Sequence, residues 1–222
     1  MPELLPAVVI DPPGPVRASV IWLHGLGADG HDFAPIVPEL RLPAALGVRF
    51  VLPHAPVRPV SINGGMRMPA WYDISELDLR RRHDEAGLRA SAARIGDWIA
   101  HERAGGIKSE RIVLAGFSQG GAVALFLGLR HPEPLAGLVA LSTYLIGEDS
   151  LDHEASAANR RLPILMAHGS LDDVVPLARG EAARAALTQR GWPVQFHSWP
   201  MQHAVCLEEI EAVATFLRTT LA

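Results

Sequence analysis

The sequence has a single cysteine, Cys206, so no intrachain disulfide can form. That suits a reducing compartment. No apolar run approaches the ~18 residues of a membrane-spanning helix, and the N-terminal stretch MPELLPAVVIDPPG lacks the basic and apolar regions of a secretory signal. These absences lead to the expectation of a soluble, cytoplasmic protein with no stable membrane insertion. Long basic runs are missing too. The formal net charge is -4, and the one basic cluster, Arg80-Arg81-Arg82, is flanked by Asp78, Asp84 and Glu85. A charge-paired, solvated turn is expected there, and nucleic acid is excluded as a partner. The ten histidines include no H-E-x-x-H motif and no Cys/His pair at ligand spacing, so no metal site is expected.

What is present is an ordinary globular composition, 49% apolar and 20% charged over 222 residues. That length suits a single domain spanning residues 1–222. Short apolar segments read as strands: Ala18–Leu23, Val48–Leu52, Arg111–Ala115, Leu135–Leu141, Pro163–Ala167 and Val194–Trp199. Several are almost continuously apolar, as parallel strands covered on both faces are. Helical spacing lies between them, over His83–Arg103, Gln119–Leu129, Leu177–Gln189 and Val205–Leu221. This alternation predicts an α/β layered fold with a mostly parallel sheet, with Ala7–Ile10 as an antiparallel edge. The stretch Pro53–Asp78 reads as a long irregular loop, and such loops often carry function.

Strand RIVLA runs directly into Gly116-Phe117-Ser118-Gln119-Gly120-Gly121, where a helix starts. This is G-x-S-x-G in its meaningful setting. A sharp strand-to-helix turn strains the central residue and needs small neighbours on either side. Ser118 is therefore the expected nucleophile, which requires a base. The α/β-hydrolase order is serine, acid, histidine. After strand PILMA comes His168-Gly169-Ser170-Leu171-Asp172-Asp173, and after VQFHSW comes His203. His203 is the expected base, ahead of His168 and His197. Spacing cannot separate Asp172 from Asp173, and the aspartate not used is expected to cap the following helix. Strand ASVIWL ends in His24-Gly25-Leu26-Gly27-Ala28-Asp29-Gly30, the glycine-rich loop that supplies one oxyanion donor. The backbone amides of Leu26 and Gln119 are assigned that role. The same loop satisfies G-x-G-x-x-G, but no carboxylate follows the next strand to hold a ribose, and the dinucleotide reading fails. Trp71, Met66 and Met68 stand as candidate walls of an acyl groove, with plain packing as the alternative. Cys206 reads as a small helix residue.

The segments HGLGADG, INGGMRMPAWYDI, GFSQGGAVAL, HGSLDDVVP and the final His203 together resemble the carboxylesterase/acyl-protein thioesterase/lysophospholipase family of small α/β-hydrolases. The likeness covers nearly the whole chain and is closest to the bacterial carboxylesterase branch. It implies the α/β-hydrolase fold without a large cap domain, and Ser118, Asp172 and His203 as the triad. Asp172 is favoured as the last residue of H-G-x-x-D. It also implies Trp71 at the mouth of the groove, no cofactor, an acyl ester or thioester as substrate, and a homodimer. The expected activity is that of a serine carboxylesterase acting on short-to-medium acyl chains, with acyl-protein thioesterase or lysophospholipase as the alternative.

Overall fold

The computed structural model describes residues 3–75 and 84–222. The cluster at 80–82 and the predicted helix start at His83 lie outside the described residues. Seven strands form the central sheet: β1 (Ala7–Ile10), β2 (Ala18–Leu23), β3 (Val48–Pro53), β6 (Ile112–Phe117), β7 (Gly137–Leu141), β8 (Ile164–Gly169) and β9 (Val194–Trp199). Their order is β1-β3-β2-β6-β7-β8-β9. Among the described residues its one antiparallel pair is β1 with β3, with Ala7 opposite Pro53, so the expected antiparallel edge is present. The predicted fold class, a mostly parallel α/β-hydrolase sheet, is the observed one. Two further strands, β4 (Val57–Val60) and β5 (Met66–Pro69), form a separate antiparallel hairpin inside what the sequence pattern presents as loop.

Side chains on successive strand residues point to opposite faces, and both faces are buried. Ile21, Leu23, Leu114 and Met166 face one core, which α1 (Glu85–Ala104) covers with Leu88, Ile95 and Ile99. Helix α2 (Gln119–Arg130) joins that core and is buried along almost its whole length, as its apolar sequence requires. Val20, Trp22, Val113 and Leu165 face the other core, against Val213, Phe216 and Leu217 of α5 (Leu207–Thr220). Between β2 and β3 the chain makes three short 3-10 turns, at Ala34–Ile36, Pro38–Leu40 and Ala44–Leu46. Pro35 and Pro38 each remove a backbone donor there, and no α-helix forms.

Among the described residues no large cap domain stands over the sheet. Between β7 and β8 there is one seven-residue helix, α3 (Glu148–Glu154), and a 3-10 turn at Ala157–Asn159. Helix α4 (Leu177–Gln189) follows β8, and no described helix is long and apolar enough to cross a membrane.

Helix α5 carries one costly residue. Glu209 is fully buried, and neither carboxylate oxygen has a hydrogen-bond partner among the described residues. Desolvation pushes its pKa up from 4.5 to about 8. The native state therefore holds this proton where the unfolded chain has released it. Stability is expected to fall as pH rises from about 4.5 to about 8, by on the order of 4–5 kcal/mol at most. Glu209→Gln removes the ionisation. Thermal unfolding should show its advantage over wild type growing through that window. A difference independent of pH would refute the buried-acid account.

Candidate active site

Ser118 sits between β6 and α2 with φ 53 and ψ -118. A non-glycine residue with positive φ is strained and persists only where its surroundings enforce it. They do so here through close approach. A Cβ on Gly116 would land on the backbone of Gly120, and one on Gly120 would land on the Leu23 carbonyl. The strained residue is tied on both sides, its N–H donating to the Leu141 carbonyl at 2.8 Å and its carbonyl accepting from Thr143 Oγ1 at 2.7 Å.

Ser118 opens on a cavity of about 390 Å³ that His203 also lines. The His203 ring packs on Phe117 with centroids 4.7 Å apart. Its Nδ1 meets Asp172 Oδ2 at 2.7 Å, and the Asp172 side chain is wholly buried. The other carboxylate oxygen accepts from the amides of Val174 at 3.0 Å and Val175 at 2.8 Å. Asp172 is thereby held by three donors from two chain segments. Asp173 points outward and is exposed. It does not cap α4 as expected, because the residue before that helix is Pro176 and no side-chain cap forms. Neither rival histidine lines the cavity, although His168 Nε2 lies 3.6 Å from Asp172 Oδ2. His168 is buried with its Nε2 donating to the Val175 carbonyl at 2.7 Å, and burial lowers its pKa. His197 is exposed on β9, stacked on Trp199.

The glycine-rich loop after β2 forms the facing wall. Gly27 donates to the Pro69 carbonyl at 2.9 Å and Ala28 to the Gly25 carbonyl at 3.3 Å, while Leu26, between Gly25 and Gly27, lines the cavity. His24 pins the base of this loop. Its Nε2 accepts from the Ala55 amide at 3.1 Å and its Nδ1 donates to the Gly25 carbonyl at 2.7 Å. Burial lowers its pKa, which keeps this arrangement neutral. Gln119, the first residue of α2, also lines the cavity, where the helix N-terminus is electropositive.

Trp71 does not line the mouth of the cavity. It is fully buried, its ring N–H donates to the His24 carbonyl at 2.9 Å, and its backbone N–H donates to Gln119 Oε1 at 2.8 Å. Gln119 Nε2 then donates to the Tyr72 carbonyl at 2.7 Å. The Ser91 hydroxyl donates to the Trp71 carbonyl. Trp71 is thus the clasp that joins the β4–β5 hairpin to the start of α2. Met66 is exposed on that hairpin, and Met68 sits near Gly27 with its sulfur accepting from Asn63 Nδ2 at 3.3 Å. Neither lines the cavity. The apolar walls are instead Ile62, Ile74, Val174, Val175 and Tyr144. Burial pushes the Tyr144 hydroxyl up to about 12, and it hydrogen-bonds the Tyr72 hydroxyl at 2.7 Å. Ile62 and Ile74 are the two ends of INGGMRMPAWYDI and Val174 and Val175 lie in HGSLDDVVP, while Tyr144 falls outside the segments that carry the resemblance. They come from loop tips that only the fold brings together.

A family model described as phospholipase/carboxylesterase matches residues 5–221. Acyl-protein thioesterase 1 of Neurospora crassa is 43% identical over 229 residues, covering 99% of this chain and 91% of that protein. Acyl-protein thioesterase 1 of Mycosarcoma maydis is 39% identical, with 99% and 98% covered. Among solved structures, acyl-protein thioesterase 2 of Zea mays aligns with a TM-score of 0.88 at 32% identity, covering 98% of this chain and 100% of that one. The chain belongs to the phospholipase/carboxylesterase family, and it is a carboxylic ester hydrolase of the α/β-hydrolase fold.

Proposed function

We propose that this enzyme is a serine esterase that hydrolyses short-to-medium acyl esters, and the corresponding thioesters, through Ser118, His203 and Asp172. One observation carries the reading: the strained Ser118 opens on the same apolar-walled cavity as a histidine whose Nδ1 is held by a buried carboxylate at 2.7 Å. Asp172 keeps the proton of His203 on Nδ1, so Nε2 is bare and can take the proton of the Ser118 hydroxyl. The hydroxyl oxygen bonds the acyl carbon, and the carbonyl oxygen becomes an anion facing the Leu26 and Gln119 amides. The bond to the alcohol or thiol breaks, and that group leaves with the proton from His203. Water repeats the sequence with His203 as base, releasing the acid and free Ser118.

Thioester hydrolysis is favoured as a second substrate class by the relatives named acyl-protein thioesterase. The same carbonyl chemistry serves both. The cavity is walled by a handful of apolar side chains and lacks a cap, so only the first carbons of an acyl chain can be covered. Each covered methylene is worth ~0.8 kcal/mol. Turnover of p-nitrophenyl esters should therefore peak at short to medium chains, with matched thioesters following the same order. It should pass smoothly through the concentration at which the substrate forms micelles. A jump at that point, with preference for emulsified long-chain triglyceride, would replace this reading with that of a lipase.

A further inference from the structure

The loop that leaves β2 and the residue just past β3 together place a second set of donors near the cavity. Asp29, His31 and His54 each offer one ligand atom, and these atoms lie within 4.8 Å of one another. That spacing is within reach of one ion with bonds of ~2.0–2.2 Å after small side-chain adjustments. Asp29 and His31 belong to one tight turn, in which Asp29 Oδ1 accepts from the His31 amide at 2.7 Å and meets His31 Nδ1 at 3.0 Å. His54 arrives from the far side, just past β3, and its ring lies 5.3 Å from that of His31 between centroids. The side chains of His31 and Asp29 are 72% and 50% exposed, so an ion has a path in from solvent. Two imidazoles and one carboxylate suit a borderline ion such as Zn²⁺ far better than Mg²⁺ or Ca²⁺, which prefer all-oxygen sets.

Gly30, between Asp29 and His31, connects this cluster to the catalytic loop. Its N–H donates to His54 Nδ1 at 3.1 Å. It has no room to shift inward, because the space where a Cβ would go is filled by the Leu52 carbonyl. We propose that Asp29, His31 and His54 form an inhibitory site for a zinc-like divalent cation, coupled to the Leu26 oxyanion donor through Gly30. A ring nitrogen that accepts a hydrogen bond carries no proton, so neutral His54 carries its proton on Nε2. An ion bound at Nε2 sends that proton to Nδ1, where it faces the Gly30 N–H, donor against donor. An ion bound at Nδ1 displaces the Gly30 N–H directly. In both cases the Gly30 hydrogen bond is lost and the loop that carries Leu26 loses an anchor. A displacement of ~1 Å in a catalytic group can cost ~10²-fold in rate.

The inhibitory half of this proposal rests on the oxyanion role given to Leu26 under the proposed function. The binding half does not. Calorimetric titration of metal-stripped Ser118→Ala protein with zinc chloride reads binding without turnover. A Zn²⁺-binding event is expected that is lost when His31→Gln or His54→Asn is added. His31 is exposed and takes no part in anchoring the Leu26 loop, so His31→Gln made in the active enzyme should keep metal-free activity, and the response of His54→Asn to zinc is read against its own metal-free rate. Saturating Zn²⁺ should lower the wild-type kcat for p-nitrophenyl butyrate by roughly tenfold or more, with KM little changed, and the two variants should resist it. Zn²⁺ binding that survives both substitutions would overturn the ligand set. Binding that depends on them while wild-type kcat stays unchanged at saturation would overturn the coupling. Failure of the catalytic reading itself would show elsewhere, as esterase activity surviving in metal-free Ser118→Ala.

Discussion

Ser118→Ala should lower kcat by ~10⁴-fold or more, leaving only the rate that binding and the oxyanion donors sustain without a nucleophile. The protein should remain folded, because the Ser118 backbone bonds to Leu141 and Thr143 do not involve its side-chain oxygen. A companion variant separates chemistry from strain. Positive φ costs a non-glycine residue on the order of 1–3 kcal/mol, and glycine adopts that conformation freely. Ser118→Gly should be as inactive as Ser118→Ala yet unfold at a higher temperature. Ester hydrolysis by Ser118→Ala at a tenth or so of the wild-type rate would remove Ser118 as the nucleophile. An unfolding temperature for Ser118→Gly below that of Ser118→Ala would mean that the elbow is not strained in the way its dihedral angles indicate.

Asp172→Asn should reduce kcat by up to ~10⁴-fold, the loss expected when the orienting acid can no longer hold the histidine in the productive tautomer. The side-chain amide of asparagine would present an N–H where His203 Nδ1 needs an acceptor. The oxygen that accepts from the Val174 and Val175 amides would stay with them, which leaves the amide nitrogen facing His203. Asp173→Asn should leave kcat close to wild type, because that side chain is exposed and takes no part in holding His203. Steady-state kinetics on a short-chain ester decide the matter. Losses of similar size in both variants, or a larger one in Asp173→Asn, would reverse the assignment of the acid.

The parts of the site that could be read from the residues are those in which geometry dictates residue type. An elbow that brings Gly116 against Gly120 admits only glycine, so G-F-S-Q-G-G, set between an apolar strand and a helix, marked the turn. The order of Ser118, the aspartate pair and His203 followed from strands that end along one edge. The choice between Asp172 and Asp173 did not follow from spacing. It depends on which side chain the turn folds inward, and only the resemblance to a family favoured Asp172. The β4–β5 hairpin stayed hidden because Pro59 and Pro69 break the usual strand signature. Trp71 in a long polar stretch reads as an exposed aromatic, yet the Gln119 side chain and the His24 carbonyl satisfy its two N–H groups and let it bury completely. The trio of Asp29, His31 and His54 was invisible for a similar reason. Ligand spacing along the chain cannot register a histidine that the sheet brings in from the next strand.

The Gln119 clasp also bears on how this enzyme can be varied. The hairpin meets the catalytic segments at few points: Pro69 accepts from Gly27, and Trp71 and Tyr72, just beyond it, are gripped by Gln119. The tip of the hairpin supplies Ile62 and Asn63 to the cavity wall. The hairpin is anchored, with Val60 buried, Ser61 bonded to Asp73 and Ile62 donating to the Ile74 carbonyl. Substitutions at the side chains of Ile62 and Asn63 should therefore reshape what the cavity admits while Ser118 and His203 keep their positions. In this layout the residues that shape the entrance and those proposed to break the bond sit on different segments, so the first can change while the second stay fixed.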